Sequence, residues 1–511
     1  MMNRNHFMLC MFAMFIAGNI NATTYTEKTF LSPRPVGVNI AMEYTTWHDR
    51  AYRKTEGHHP RIFQATGFYQ ASVNEKELGK YFGIKGKNTF QIGPQANIAA
   101  GTVDVDGSFL IHEQTSANNG NHPLAGLVSF NPRQEIWGAR FDLFLENFPI
   151  RNVFVKANMP VVNVTNSMRM KICNSVGVKT NAKTFTLTDF FNGCVFETDP
   201  TTGNLQTGLT AAKIPACKKL SATGIADVDL ALGYKLLNKE NYHLFVNFGA
   251  TIPTGRTPSG RYLFEPMIGN GGHYGFGGGI DAGVNLWESD HSLVRFLVGA
   301  NYRYLLEDEE RRTLGLKGCN FAFNDKFGAD LKVPRPVKLL QYYLVAKDQQ
   351  QNQPLFPAAN ILTRPLDITP GSQLDALAAF SFKCHGFMLD IGYNLFWKDK
   401  EKVELDNCSF ENVYGIAHNA YPTDALFNPA SPSAFPAFYP VDGRLLTPAD
   451  LNLDAARTPS QLTHKIFAGI GFGCDVNKYP VSIGIGGSYE FVSSNASLET
   501  YALWAKAGFS F

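Results

Sequence analysis

Past residue 22, the 511-residue sequence has no apolar run approaching the ~18–20 residues that cross a bilayer as a helix. Charge is also scarce. Asp, Glu, Lys and Arg make up 18% of the chain, against the ~25% usual for soluble globular proteins. The formal net charge of +2 lacks the basic surplus that attracts phosphate, which excludes nucleic-acid binding driven by overall charge. No Cys-x-x-Cys pair, Walker loop or Gly-x-Ser-x-Gly elbow occurs. What the chain has in quantity is 40 Phe, 20 Tyr and 46 Gly within a 44% hydrophobic composition. Such a chain is too apolar and too aromatic for disorder. Its length requires several domains or one large closed architecture.

Arg4 precedes the apolar run Phe7–Ala17, and Gly18-Asn-Ile-Asn leads to Ala22, with Ile20 at the −3 position of a cut after it. A basic start, a short apolar stretch and a small residue at the cut describe a secretory signal over residues 1–22, leaving a mature chain of 23–511. An exported chain without spanning helices is either soluble or a membrane β-barrel.

Period two decides between them. From Tyr501 to Phe511, alternate residues Tyr501, Leu503, Ala505, Ala507, Phe509 and Phe511 are apolar and interleave with Ala502, Trp504, Lys506, Gly508 and Ser510. The same alternation marks Tyr479–Phe491, Phe387–Lys398, Leu374–Lys383, Val294–Tyr304, Tyr274–Leu286, Tyr242–Ile252 and Val228–Lys235. Earlier candidates are Val36–Tyr44, Arg61–Ala71, Gly107–His112, Gln134–Glu146 and Ile150–Val161. A sandwich also alternates. The second face here, however, is rich in Gly, Ser and Asn, which suits a crowded interior, and aromatics gather at segment ends as an interfacial girdle requires. The fold expected is all-β, a transmembrane antiparallel up-and-down barrel of about 14 strands (12–16).

Connections alternate short and long. Short turns fall at Asn238–Asn241, Glu288–Asp290, Lys383–Gly386 and Asp475–Tyr479, and the long segments are 163–224, 307–372 and 399–460. Outer-membrane barrels keep short turns in the periplasm and long loops outside. That rule has the first strand rising near Val36, Phe511 on the periplasmic side, and 73–104 as a periplasmic or plug segment.

The ending Phe509-Ser510-Phe511 resembles the terminal signature of Gram-negative outer-membrane barrels. The resemblance implies that Phe509 and Phe511 form the signal read by the outer-membrane assembly machinery. Gly249-Ala-Thr-Ile-Pro-Thr-Gly255, with the Gly-rich strand after it, is similar to patterns in hydrocarbon-uptake channels of the 14-stranded fatty-acid transporter kind. The scattered loop cysteines resemble those of chlamydial-type major outer-membrane proteins. Either kinship implies passage of small solutes.

Chemical sites are few. Gly277-Gly-Gly279-Ile-Asp-Ala282 satisfies a loose dinucleotide pattern but lies inside an alternating strand. Asp104-Val-Asp106-Gly107 lacks the remaining ligands of a calcium loop and reads as a turn. His58-His59 reads as a solvated pair. The seven mature cysteines permit pairings such as Cys173–Cys194 or Cys319–Cys408 and leave at least one thiol over. Cys384 and Cys474 read as small buried hydrophobes. No cofactor, metal or catalytic residue is expected. The charged residues Arg140, Asp142, Lys156, Asp229, Asp281, Arg295, Arg303, Asp375, Asp390 and Lys465 all fall on the non-lipid face, where they either line a pore or pair across strands. The expected function is a porin-like outer-membrane channel for small solutes, in contact with lipid and lipopolysaccharide and open to homo-oligomer formation. The alternatives are a structural or adhesive surface protein with a closed barrel, and a hydrophobic-substrate transporter.

Overall fold

A computed structural model describes residues 23–46, 61–93, 103–111, 124–179, 184–197, 205–216, 218–317, 338–347, 355–405, 411–416, 445–476 and 479–511. Residues 1–22, where the export signal is expected, together with His58-His59, Cys217, Cys319 and Cys408, lie outside these.

Twelve strands form the wall. They are β1 (Arg61–Ser72), β2 (Arg133–Glu146), β3 (Val153–Ser167), β4 (Val228–Asn238), β5 (Tyr242–Ile252) and β6 (Gly275–Glu288). The second half comprises β7 (Ser292–Leu305), β8 (Gly371–Cys384), β9 (Phe387–Lys398), β10 (Gln461–Val476), β11 (Tyr479–Val492) and β12 (Thr500–Ser510). Each is antiparallel to its sequence neighbours. β12 pairs with β1 from Thr500↔Ser72 to Ser510↔Ile62, which closes the ring. Along β3, β4 takes Val153–Asn158, while a short flanking strand, Leu220–Ile225, takes Val161–Asn166. Closure satisfies the backbone without water, the condition for standing in hydrocarbon.

The two faces meet different media. Leu503 on β12 is 59% exposed and Ile483 on β11 is 61% exposed, while Lys506, pointing inward from β12, is 4% exposed. Ile391, Ile466, Ile470, Ile485, Phe248 and Leu232 extend the outer band around the wall. A continuous apolar belt of this kind has no place in water. Exposed aromatics bracket it, with Tyr242, Trp287, Phe387, Tyr479 and Phe511 at the short-turn end and Trp137, Tyr274, Tyr302 and Tyr489 toward the other.

Twelve strands replace the central expectation of 14 because two candidates are not part of the wall. Gly107–Phe109 is a 3-10 turn. Val36–Tyr44 is no strand either: Ile40–Tyr44 forms the short helix α1, buried inside the barrel. The flanking sequence Pro33-Arg34-Pro35 explains part of this, since proline cannot donate to a ladder. Losing these two candidates reverses the direction of Arg61–Ser72. The 73–104 segment therefore leaves β1 at the long-loop end, not at the short-turn end.

The described parts of the long connections pack against one another. They fold together into a cap over that end, with short sheets (Thr89–Gly93, Val105–Asp106, Ala125–Ser129, Lys171–Val176; Asp308–Thr313, Thr363–Thr369, Lys402–Glu404) and helices α2 (Glu75–Phe82) and α3 (Leu187–Asn192). Ala125–Ser129 pairs within this cap and not in the wall. Leu78, Tyr81, Phe90, Phe130, Phe190, Phe191, Tyr342 and Leu362 share one hydrophobic cluster. Local signals fix α3: the Thr186 and Asp189 side chains cap its first turn reciprocally, and Gly193 ends it at φ 80°.

Among the described cysteines, Cys173, Cys194, Cys384 and Cys474 are free, so the Cys173–Cys194 bridge does not form. Cys474 is exposed and Cys384 half-buried. Both fall on the outward register of their strands rather than in a core, because the apolar register of a membrane barrel faces outward.

Placing a charge in the belt tests the assignment. Ile485→Arg is expected to cost ~2–4 kcal/mol in urea unfolding from lipid vesicles. An unchanged midpoint would place Ile485 outside the hydrocarbon.

Candidate functional site

The lumen holds the chain's own N-terminal segment. Thr23 bridges to Ser494, and the Tyr25 amide donates to Asn495 Oδ1 at 2.7 Å, so its first described residues lie in the cap. It then descends into the barrel. β1 opens at the short-turn end with Arg61, whose amide pairs with Phe511.

Wall side chains grip this segment along its length. Arg34 donates from Nη1 to Glu490 Oε1 at 2.9 Å, and from Nη2 to Asp375 Oδ1 and Asn394 Oδ1, both at 3.0 Å. Its guanidinium lies 4.6 Å from the Phe396 ring centroid. The Asn39 side chain caps α1 by accepting from the Met42 amide, and Asp375 Oδ2 accepts from the Ile40 amide. Glu43 meets Arg140 at 3.2 Å and Lys156 at 3.3 Å. Lys506 donates to the carbonyls of Met42, Glu43 and Thr45, which the end of a helix leaves without intrahelical partners. Tyr44 hydroxyl bonds Asp281, and the Thr46 amide donates to Asp390. Backbone that would be costly to bury alone is satisfied by the wall.

All ten charged residues singled out by pattern point inward, but they do not form rings around open water. Arg140, Asp142, Lys156, Asp229, Arg303 and Asp375 border one cavity of ≈160 Å³ beside α1. Within it Arg140 bonds Asp142 at 2.7 Å, and Asp229 takes Arg303 at 3.5 Å and Thr251 at 2.6 Å. Asp281 sits apart, against His243 at 3.0 Å, and Arg295 donates to Asn285 Oδ1 at 2.8 Å. Lys465 pairs with Glu490 at 3.1 Å, beneath Arg34. Cross-strand pairs such as Asp229–Arg303 and Lys465–Glu490 therefore stand beside bonds from Arg140, Lys156, Asp281, Asp375 and Asp390 to the inserted segment. Phe509 and Phe511 face outward with ring centroids 5.6 Å apart.

Pattern alone missed Glu43, which lies in the stretch Val36–Tyr44 read as a strand, and Arg34, which sits between two prolines just before it. Lys506 and Glu490 were placed on the inner face, but no signal marked them as anchors. Asn39, an N-cap residue type directly before a short segment carrying Glu43, was the available hint.

Where the segment passes from cap to barrel, a buried ion network fastens it. Arg312 bonds Glu310 at 2.7 Å and Glu401 at 2.6 Å, and its guanidinium stacks 3.7 Å from the Phe30 ring centroid. Lys398 bonds Glu401 at 3.0 Å and the Ser32 hydroxyl at 2.9 Å. His273 reaches Glu310 at 2.8 Å. Burial pushes the Glu401 carboxyl up, but the Arg312 guanidinium and Lys398 ammonium hold it well below the usual carboxylate range.

These features define a membrane-spanning β-barrel with a capped mouth and an occupied lumen. No protein-family model matches the sequence, and no curated protein does. Among solved structures the chain is similar to an outer-membrane channel from Pseudomonas putida F1, at 9% identity and a TM-score of 0.36, covering 90% of this chain and 98% of that one. It is also similar to the transport unit of the autotransporter AIDA-I from Escherichia coli (8%, 0.32, 94% and 99%). A FadL homologue of Pseudomonas aeruginosa gives 8%, 0.27, 88% and 90%. Likeness at this level carries no functional weight, so the lumen's role rests on its own residues.

Glu401→Gln leaves Arg312 and Lys398 facing a neutral amide and is expected to cost ~3–5 kcal/mol at pH 7. Because the folded carboxyl titrates below its unfolded value, the stabilisation is complete above ~pH 4.3 and is lost as pH falls toward the folded value. The gap between wild type and variant in denaturant melts should therefore shrink below pH 4; a gap independent of pH would contradict this ion pairing.

Proposed function

We propose that this protein is an outer-membrane channel through which small polar solutes diffuse, along a lumen narrowed by its own N-terminal segment. The observation that carries the reading is the cavity between α1 and the wall, a space bordered by charged and amide side chains. An all-apolar filling would have sealed the barrel, and the polar border runs against a hydrocarbon route. Residues 1–22 act as the export signal, the short turns face the periplasm, and the cap faces outward. Phe509 and Phe511 serve as the assembly signal. Charges of both signs, largely paired, make the path weakly ion-selective.

A second reading, a surface protein with a closed barrel, is favoured by the hydrophobic core of the cap. Planar-bilayer recording separates the two. The channel reading expects small unit steps from the intact protein and larger ones from Arg34→Ala, which removes the bonds to Glu490 and Asp375. Silence from both proteins would support the surface role. Arg303→Glu, at the cavity, should shift the reversal potential toward cation preference, with a smaller shift for Arg295→Glu, which is turned toward Asn285. Unchanged potentials would remove Arg303 from the path.

A further inference from the structure

We propose, resting on the channel reading, that the lumen cavity is a binding site for small neutral polyhydroxylated solutes, namely polyols and monosaccharides. The first ground is that its ions are already satisfied. Glu43 is held by Arg140 and Lys156, Asp142 by Arg140, Asp229 by Arg303, and Asp375 by Arg34. Four carboxylates meet four cations, so an entering ion finds no uncompensated countercharge and brings its own desolvation cost.

The unmet demand is of another kind. Gln64 donates from Nε2 to Asp142 Oδ2 at 3.1 Å, and Asn158 donates from Nδ2 to Asp229 Oδ2 at 3.2 Å. In both, the carboxylate takes the amide's donor and leaves its carbonyl oxygen. Those two oxygens, with Gln373 Oε1, are buried without a hydrogen-bond partner, and all three side chains border the cavity. Gln64 and Gln373 are 4% and 2% exposed. Buried acceptors call for donors, and a solute carrying several hydroxyls on a compact carbon frame supplies them without adding charge. Ile62 and Phe144 on the same border offer an apolar surface for the carbon–hydrogen face of such a solute. The cavity volume of ≈160 Å³ restricts the occupant to a small one.

Equilibrium dialysis of radiolabelled arabinose against the full-length protein in detergent tests this directly. Saturable binding is expected, weakened ~10-fold by Gln64→Leu or Gln373→Leu, the loss of about one hydrogen bond. Gln373→Asn keeps an amide carbonyl without adding charge and should bind more tightly than Gln373→Leu, which separates lost recognition from lost folding; heat-modifiable gel migration reports folding for each variant. Glycine betaine, small and polar but without an O–H or N–H donor, should not compete. Absence of saturable binding, equal competition by betaine, or wild-type binding by folded Leu variants would overturn the proposal. The readout needs no current. Conduction without arabinose binding defeats the site alone, whereas binding by a protein silent in bilayers defeats the channel reading and leaves the site standing.

Discussion

Every peptide group in a wall exposed to hydrocarbon must find its partner within the protein, and the pairing of β12 with β1 is what meets that demand here. Without this seam the outer strands would present open edges to lipid. With it, the side chains divide cleanly into an apolar outside and a polar inside. The composition follows from this division. Small residues and amides crowd the interior because a 12-stranded ring encloses little space, and aromatics gather where the belt meets its two interfaces.

That constraint is also why so much of the fold could be read from the chain. A strict two-residue period leaves a trace at each wall strand, strong in Tyr479–Val492 and Thr500–Ser510, where one face is almost free of polar groups. The period fades where the environment is the same on both sides. Val36–Tyr44 looks like a short strand by alternation, but it lies inside the barrel with no lipid on either side, and its conformation is set by wall groups hundreds of residues away: Asp375, Asp390 and Lys506. The cap was invisible for a related reason. Phe90, Phe190 and Tyr342 pack together across connections that share no local pattern.

The inner charges were legible as inner, but their employment was not. Position in an alternating strand says which medium a side chain meets; it does not say whether the nearest partner is another strand, water or an inserted segment. Arg34 shows the difference. A single guanidinium between two prolines joins β8, β9 and β11 through Asp375, Asn394 and Glu490. The membrane-facing half of the structure is thus governed by repetition, and the lumen by individual pairings with no periodic signature.

The path of the N-terminal segment has a consequence for biogenesis. From Thr23 among the cap residues it runs down the interior, and β1 opens at the opposite mouth, so the described chain is a thread through a ring. A ring cannot close beside its thread and admit it sideways afterwards. Either the wall zips shut around a chain already lying within it, or the chain preceding β1 is drawn up through a completed bore, and which of the two happens becomes a property of how the protein is made.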